Sequence, residues 1–195
     1  MNTREKIIER SAELFNTYGY HGCSMSDIME ATQLKKGGIY NHFKSKDEIA
    51  IEAFNYNYDK VIERFRKRLS EIKSKDPVDK LFKVIDAFAS FADDPVVKGG
   101  GCPIFNTAMD ATNSHPELQK KAKEGILGLR KYIEIKLHEA VEADMLSKEM
   151  NIEETASLMV MTLEGAIVMA KVNGSGECAQ IASNHLKQMV KSNMI

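Results

Sequence analysis

Apolar side chains recur at three- and four-residue steps along almost the whole chain, and this periodicity restricts the fold more than any other feature. In residues 4–18 the stripe comprises Ile7, Ile8, Ala12, Phe15 and Tyr18. Similar stripes run from Lys46 to about Ile72, after Pro77 and Pro116, and through 152–172 and 177–191. Sustained alternation of period two, which indicates strands, is nearly absent. The pattern predicts an all-α fold.

Charge is distributed unevenly along the 195 residues, although the net charge is only -1. Residues 1–75 carry 14 Lys and Arg against 11 Asp and Glu, whereas residues 76–195 carry 13 against 17. A basic first part on an acidic body favours a polyanionic partner for the N-terminal end. The hydrophobic content of 43% is that of an ordinary globular protein.

The three cysteines are far apart, so they predict neither a disulfide framework nor a zinc site. The charged start "MNTREKIIER" lacks the apolar core of a signal peptide, and the longest apolar stretch is interrupted by Glu164. These features predict a reduced, cytoplasmic protein without a membrane span, cofactor or metal site.

Residues 26–43 have the spacing of a helix-turn-helix, with a helix over 26–32, a turn over 33–35 and a second helix over 36–43. In this motif the second helix enters the major groove of DNA, and residues near its N-terminus reach base edges. Gly37 and Gly38 would leave that tip without side chains, so that main-chain amides can approach a phosphate. Ile39 and Phe43, four residues apart, are expected to anchor the helix in a small core.

Polar side chains around these glycines suit contacts with a duplex. Lys36 supplies a cation, while Tyr40, His42 and Lys46 are further donors to phosphate. Asn41 is the candidate for a base edge, because an amide can pair with adenine in the major groove.

The segment "SMSDIMEATQLKKGGIYNHFKSKDEI" (24–49) resembles the DNA-binding motif of the TetR family of bacterial transcriptional regulators. The likeness includes Gly37, Tyr40 and Phe43 at the family's spacing, followed by 45–47 as Ser-Lys-Asp. Two departures are Gln33, where the turn usually has Gly, and Lys35, where a Ser or Thr cap is usual. The resemblance implies DNA contacts for Met25, Ser26, Lys36, Gly37, Gly38, Tyr40, Asn41, His42 and Lys46.

The resemblance also implies an architecture and a function. A three-helix DNA-binding domain over 1–48 would precede a helical effector-binding and dimerisation domain over 49–195. The expected protein is a homodimeric repressor, released from a near-palindromic operator by a small effector, with activation left open. Candidate effector contacts are Phe88, Phe91, Cys102, Phe105, Met109 and Met159, although such stripes are usually core.

Cys102 and Pro103 open a short predicted helix, so the helix dipole could stabilise a thiolate. A thiol-based sensor repressor, responding through Cys102 to oxidants or electrophiles, is therefore an alternative to small-effector control. The competing interpretation is a small buried residue at a helix entry. His115, before Pro116, is expected to be a cap or solvent-facing rather than a metal ligand.

Residues 156–172 are apolar nearly all the way round, and such a helix must be covered on every side. With the last helix it resembles the dimer interface of the TetR family. Expected interface residues are Gly165, Ala166, Ala170, Ile181, Ala182, Leu186 and Met189.

Two other classes of function remain open to test. A thiol enzyme would pair Cys102 with a histidine, but no nucleophile elbow, phosphate loop, metal signature or carboxylate pair occurs. A helical adaptor that binds only protein would differ from a regulator by giving no gel shift with genomic fragments.

Overall fold

The computed structural model describes residues 2–93, 100–111 and 115–195. These residues form helices without a β-strand; their only extended pairing is an isolated antiparallel bridge between Leu146 and Met194. The predicted all-α fold is confirmed. The α-helices are α1 Thr3–Gly22, α2 Met25–Thr32, α3 Lys36–Tyr40, α4 Lys46–Ser70, α5 Pro77–Ala89, α6 Pro103–Asp110, α7 Pro116–Glu142, α8 Ile152–Asn173 and α9 Glu177–Lys191, with a 3-10 turn at Ser90–Asp93.

The chain forms two compact units. Residues 1–62 and 100–125 make one, called here the N-terminal unit; residues 63–99 and 126–195 make the other, the C-terminal unit. The segment around α6 thus belongs to the same unit as the helix-turn-helix. The domain boundary expected at residue 48 stays a prediction.

The N-terminal unit is held by apolar side chains from α1 to α4. Ile7, Ile28, Ile39, Phe43 and Ile49 are buried together, as the sequence pattern predicts for residues 39 and 43. Burying each such side chain contributes about 1.5–3 kcal/mol relative to exposure. A five-residue helix is unstable in isolation, so this burial is what keeps α3 folded.

Helix starts in this unit follow local capping chemistry. Before α2, the Ser24 hydroxyl accepts from the Asp27 amide at 3.2 Å, and the Asp27 carboxylate accepts from the Ser24 amide at 2.6 Å. Ser24 is therefore the N-cap residue of α2. Such a capping box satisfies two otherwise unpaired amides and fixes where the helix begins.

Two helix ends differ from the simple periodic pattern. α1 runs past the stripe of residues 4–18 to Gly22, but Gly19 has φ 75° and ψ 170°, so α1 is kinked there. The helix predicted over 36–43 ends at Tyr40. Beyond it the hydrogen-bond spacing shortens, since the His42 N–H donates to the Ile39 carbonyl, three residues earlier, at 2.9 Å. Phe43 still reaches the core.

The C-terminal unit is built around an aromatic cluster. The Phe65 ring centroid lies 4.7 Å from that of Phe88, 6.1 Å from that of Phe91 and 5.7 Å from that of Tyr132. Edge-to-face and offset pairs at these distances are the favoured aromatic arrangements. On the same unit, Asp86 of α5 binds Ser183 and Lys187 of α9.

Candidate nucleic-acid interface

The turn between α2 and α3 is built around a non-glycine residue in the left-handed conformation. Gln33 has φ 57° and ψ 31°, and its side-chain Nε2 donates to the Glu30 carbonyl at 2.7 Å. The left-handed region costs an L residue about 1–2 kcal/mol. The side-chain hydrogen bond offsets part of this cost, so helix-turn-helix geometry is kept without the usual glycine.

The first turn of α3 has no side-chain cap. Lys35 occupies the N-cap position, where its side chain makes no capping hydrogen bond, and its carbonyl accepts from the Gly38 amide at 2.9 Å. Within the described ranges, the amides of Lys36 and Gly37 have no protein acceptor. These N–H groups are available to an external acceptor.

The glycines of α3 are not required by packing within the chain. A Cβ placed on Gly37 would have nothing within 4 Å, and one on Gly38 would make only ordinary contact with Leu34 at 3.7 Å. Each glycine costs a helix about 1 kcal/mol relative to alanine. The folded chain itself therefore gives no reason for a bare backbone at residue 37.

The predicted contact residues of the motif share one unit and are mostly exposed. The Tyr40 side chain is 43% exposed, and the Lys36 Nζ lies 5.7 Å from its ring centroid. Gly38 and Met25 are half-buried, and Met25 packs on the small core. The remaining exposed members are Ser26, Lys36, Gly37, Asn41 and His42.

Lys46 differs from the other predicted contacts because it is half-buried and already engaged. Its Nζ donates to the Tyr20 carbonyl at 2.6 Å and lies 4.1 Å from the centroid of the Tyr20 ring. The sequence pattern did not indicate a role for Tyr20. The spacing of apolar residues along a helix cannot indicate that a main-chain carbonyl at a kink, here that of Tyr20, will bind a distant side chain.

Comparison with known proteins agrees with this geometry. Residues 7–53 match the family model described as bacterial regulatory proteins, tetR family, and residues 77–186 match the model described as tetracyclin repressor-like, C-terminal domain. The chain belongs to the TetR family. It is a DNA-binding transcriptional regulator, and TetR-family regulators bind operator DNA and dimerise.

Individual relatives extend the likeness over the full length. The structure of a TetR transcriptional regulator from Chloroflexus aurantiacus has 35% identity and a TM-score of 0.89, covering 98% of this chain and 96% of that one. The repressor DhaR from a Mycobacterium species is 24% identical over 178 residues, which is 89% of this chain and 85% of DhaR.

One relative matches over a shorter region. The uncharacterised regulator YxaF from Bacillus subtilis is 33% identical over 100 residues. That match covers 50% of this chain and spans about half, 51%, of YxaF.

The six candidate effector contacts do not lie in one unit of this TetR-family chain. Phe88, Phe91 and Met159 are buried in the C-terminal unit, the first two within its aromatic cluster. Cys102, Phe105 and Met109 belong to the N-terminal unit, where Met109 is 69% exposed. Their effector roles stay predictions.

The N-terminal unit contains a small cavity with a volume of about 30 Å³. This is room for about one or two water molecules. Asn16, Asn57 and Asn106 are among the residues around it, and none of the six candidate effector contacts lines it. The cavity is therefore too small for an organic effector.

Cys102 and His115 both stand at helix starts. Cys102 is the N-cap residue of α6 and is 8% exposed, which agrees with a small buried residue at a helix entry. His115 is also buried, and its Nδ1 accepts from the Leu118 amide at 3.3 Å. Its expected capping role is confirmed, whereas the solvent-facing alternative is wrong. Among the described residues, no group of three metal-ligating side chains could hold a metal ion.

The helix α8 is apolar on both sides, as the sequence predicts. One side is buried, whereas the other exposes Leu158, Met161, Val168, Met169 and Val172, with Gly165 among them. Ala166, Ala170, Ala182 and Leu186 were expected at the interface but are buried against their own chain, because they lie on the inward side of their helices. Among the described residues, α8 is long and apolar enough to cross a membrane, a property that it shares with the core helices of globular proteins.

Proposed function

We propose that this protein is a homodimeric cytoplasmic repressor that binds a near-palindromic operator through α2 and α3 and is released by a small effector. The single observation that carries the DNA-reading surface is the open space around Gly37. A residue kept bare without an internal reason fits a surface that must approach another molecule closely.

The contacts follow from exposure and chemistry. Lys36, Tyr40, His42 and Lys46 bind phosphates, the unpaired first-turn amides add to them, and Asn41 reads a base edge. Met25 and Ser26, at the start of α2, contact the adjacent backbone. Because phosphate neutralisation supplies much of the affinity, binding falls steeply with salt.

The exposed side of α8, together with Ile181 of α9, forms the dimer interface. Val172 is 73% exposed and Met161 is 63% exposed. Monomeric proteins rarely expose an apolar surface as large as this side of α8. Two-fold pairing of this face covers it and presents two α3 helices to successive major grooves, about 34–36 Å apart or somewhat more.

The experiment that tests the DNA-reading surface begins with selection of bound duplexes from genomic fragments by the purified protein. Fluorescence anisotropy then compares Gly37→Leu with a matched control, Gly128→Leu. Gly128 is also an exposed helical glycine with nothing within 4 Å of a Cβ, but it lies in the C-terminal unit. Both changes add the same side chain at an exposed helical glycine.

Gly37→Leu is expected to weaken duplex binding by about tenfold or more, roughly 1.4 kcal/mol, because the added side chain separates α3 from the DNA. Gly128→Leu leaves affinity unchanged. Full affinity in the Gly37→Leu protein, with normal helicity by circular dichroism, would contradict the proposal. Selection of no duplex by the unsubstituted protein would contradict DNA binding as a whole.

A second candidate mode of release is modification of Cys102, favoured by its position at the start of α6. Its near-complete burial requires the helix entry to open before a reagent can reach the thiol. An electrophile that releases DNA from the unsubstituted protein but not from Cys102→Ser would establish this mode. Equal release from both proteins would exclude it and leave the small effector.

A further inference from the structure

Tyr20 directly follows the kink of α1 at Gly19. Gly19 has φ 75°, and a Cβ added there would lie 2.9 Å from a carboxylate oxygen of Asp110. The same carboxylate accepts from the Tyr20 amide at 2.5 Å. The positive φ favours glycine at the kink, and Asp110 of α6 fixes the main chain of Tyr20, all within the N-terminal unit.

The carbonyl and the ring of Tyr20 both hold Lys46. The carbonyl accepts from the Lys46 Nζ at 2.6 Å, and the ring centroid is 4.1 Å from the same atom. A free lysine side chain samples many rotamers in solution, and these two contacts restrict that of Lys46 before any ligand arrives. Of the three N–H donors of the ammonium, one goes to the carbonyl, so others are left for a phosphate.

The hydroxyl of Tyr20 holds the acidic neighbour of Lys46. It donates to the Asp47 carboxylate. Burial, followed by the hydrogen bond to Asp47 and the charge of Asp47, raises the pKa of the Tyr20 hydroxyl to about 12. The phenol therefore stays protonated and keeps donating. Asp47 is adjacent to Lys46, so without this donor its carboxylate would compete with phosphate for the ammonium.

We propose that Tyr20 is a positioning residue for DNA binding: it aims Lys46 at the phosphate backbone and keeps Asp47 from competing. The inference rests on the proposed function, because it takes Lys46 as a phosphate contact. Tyr20 itself touches no DNA in this arrangement; it acts through Lys46.

A double-mutant cycle on duplex affinity tests this role. The proteins are the unsubstituted chain, Tyr20→Leu, Lys46→Met and the double variant, measured on one selected duplex over a range of salt. Lys46→Met is expected to weaken binding about tenfold and to reduce the salt slope by about one. Tyr20→Leu is expected to weaken binding about fivefold when Lys46 is present and less than about twofold in the Lys46→Met background.

A merely structural role for Tyr20 gives a different result. Loss of the ring would then weaken binding equally in both backgrounds, and this outcome would overturn the inference. Full affinity of Tyr20→Leu would overturn it too. If circular dichroism shows that Tyr20→Leu does not fold, Tyr20→Phe takes its place in the cycle. Tyr20→Phe lacks the hydroxyl that holds Asp47, so it should weaken binding about threefold, again only when Lys46 is present. No loss, or the same loss in both backgrounds, overturns the inference.

The proposed function fails in a separate way. If the unsubstituted protein selects no duplex, both the proposed function and this inference are wrong. If the unsubstituted protein binds and the cycle shows no coupling between residues 20 and 46, only the inference is wrong.

Discussion

The surface of α3 and the exposed side of α8 are both incomplete in the described chain, but they are incomplete in opposite ways. α3 presents unpaired amides, a bare helix tip and polar side chains. α8 presents apolar side chains along most of its length. Polar groups in geometrically fixed positions suit phosphates and base edges, whereas apolar area suits another protein surface.

The two surfaces also depend on their own units to different degrees. α3 has five residues and is held by the burial of Ile39 and Phe43. α8 has 22 residues and buries a continuous side of its own. In both cases exposed positions can be changed without touching the buried anchors, so binding and folding are separable by mutation.

The largest effect is expected from a charge on the α8 surface. In a two-fold interface each substitution occurs twice, so Met161→Asp places two carboxylates in an apolar contact. The protein should sediment as a monomer and lose about 100-fold or more in operator affinity, because two linked half-sites no longer bind together.

The matched control for this change is Ile135→Asp on α7, which also adds a carboxylate at an exposed apolar position of the C-terminal unit. It should leave both the oligomeric state and operator affinity unchanged. A Met161→Asp protein that still sediments as a dimer at micromolar concentration would remove α8 from the interface.

A smaller effect, different in kind, is expected on α3. Asn41→Ala should cost about 1–3 kcal/mol on the preferred sequence and relax the preference at one base pair. Lys36→Met should weaken all sequences alike and reduce the salt slope by about one. Competition binding with a randomised operator library measures both. An altered base preference in Lys36→Met would contradict its role as a phosphate contact. An unchanged base preference in Asn41→Ala would contradict its role as a base contact.

The helices could be predicted from the sequence because their signals are local. Pro77, Pro103 and Pro116 each stand at the first position of a helix, and the starts of α5, α6 and α7 were predicted accordingly. Buried anchors such as Ile39 and Phe43 follow from four-residue spacing. Helix ends were less predictable. α3 ends at Tyr40, where the His42 amide bonds to a carbonyl three residues earlier, and the apolar periodicity does not indicate this change.

The details of the site depend on contacts between residues distant in sequence. Lys46 was predicted from its type and place, but its hold by Tyr20 joins residues 26 positions apart and runs through a main-chain carbonyl. Likewise, small residues on α8 were expected to face a partner, yet Ala166 and Ala170 face inward. When a helix is apolar all round, composition cannot indicate which side is covered by its own chain.

A stability effect separates the turn of the N-terminal unit from a similar position in the C-terminal unit. Gln33 and Asp144 both have positive φ, 57° and 54°. Gln33→Gly removes left-handed strain and should raise the free energy of unfolding by about 0.5–1 kcal/mol, after loss of the hydrogen bond to Glu30. Urea denaturation measures this change.

Asp144→Gly should raise the free energy of unfolding less than Gln33→Gly does. Aspartate tolerates the left-handed region better than glutamine, and the change also removes the ion pair with Lys148 at 2.8 Å. If Gln33→Gly is destabilising, the hydrogen bond from the Gln33 side chain outweighs the strain. The missing turn glycine would then be a stabilising feature of this chain.

The smallest effect concerns acid stability and again compares one residue from each unit. Hydrogen bonds from the Ser24 amide and hydroxyl lower the pKa of Asp27, and the hydrogen bond and charge of Lys148 lower the pKa of Asp144. A lowered pKa in the folded state means that each carboxylate stabilises the fold above its ordinary pKa of about 4. That contribution is lost as pH falls below about 4 and through the folded-state pKa.

Salt should distinguish the two carboxylates. The Asp144–Lys148 pair is an exposed ion pair, so added salt screens it, whereas the Asp27 capping box depends on short hydrogen bonds that salt screens less. Thermal melting between pH 3 and 5 measures this difference. The melting temperature of Asp27→Asn should fall less with acid than that of the unsubstituted protein at every salt concentration. For Asp144→Asn the fall should be smaller only at low salt. Identical salt responses would show that the capping box is held by charge rather than by hydrogen-bond geometry. The start of α2, which positions Met25 and Ser26, would then be sensitive to the ionic strength that also controls DNA binding.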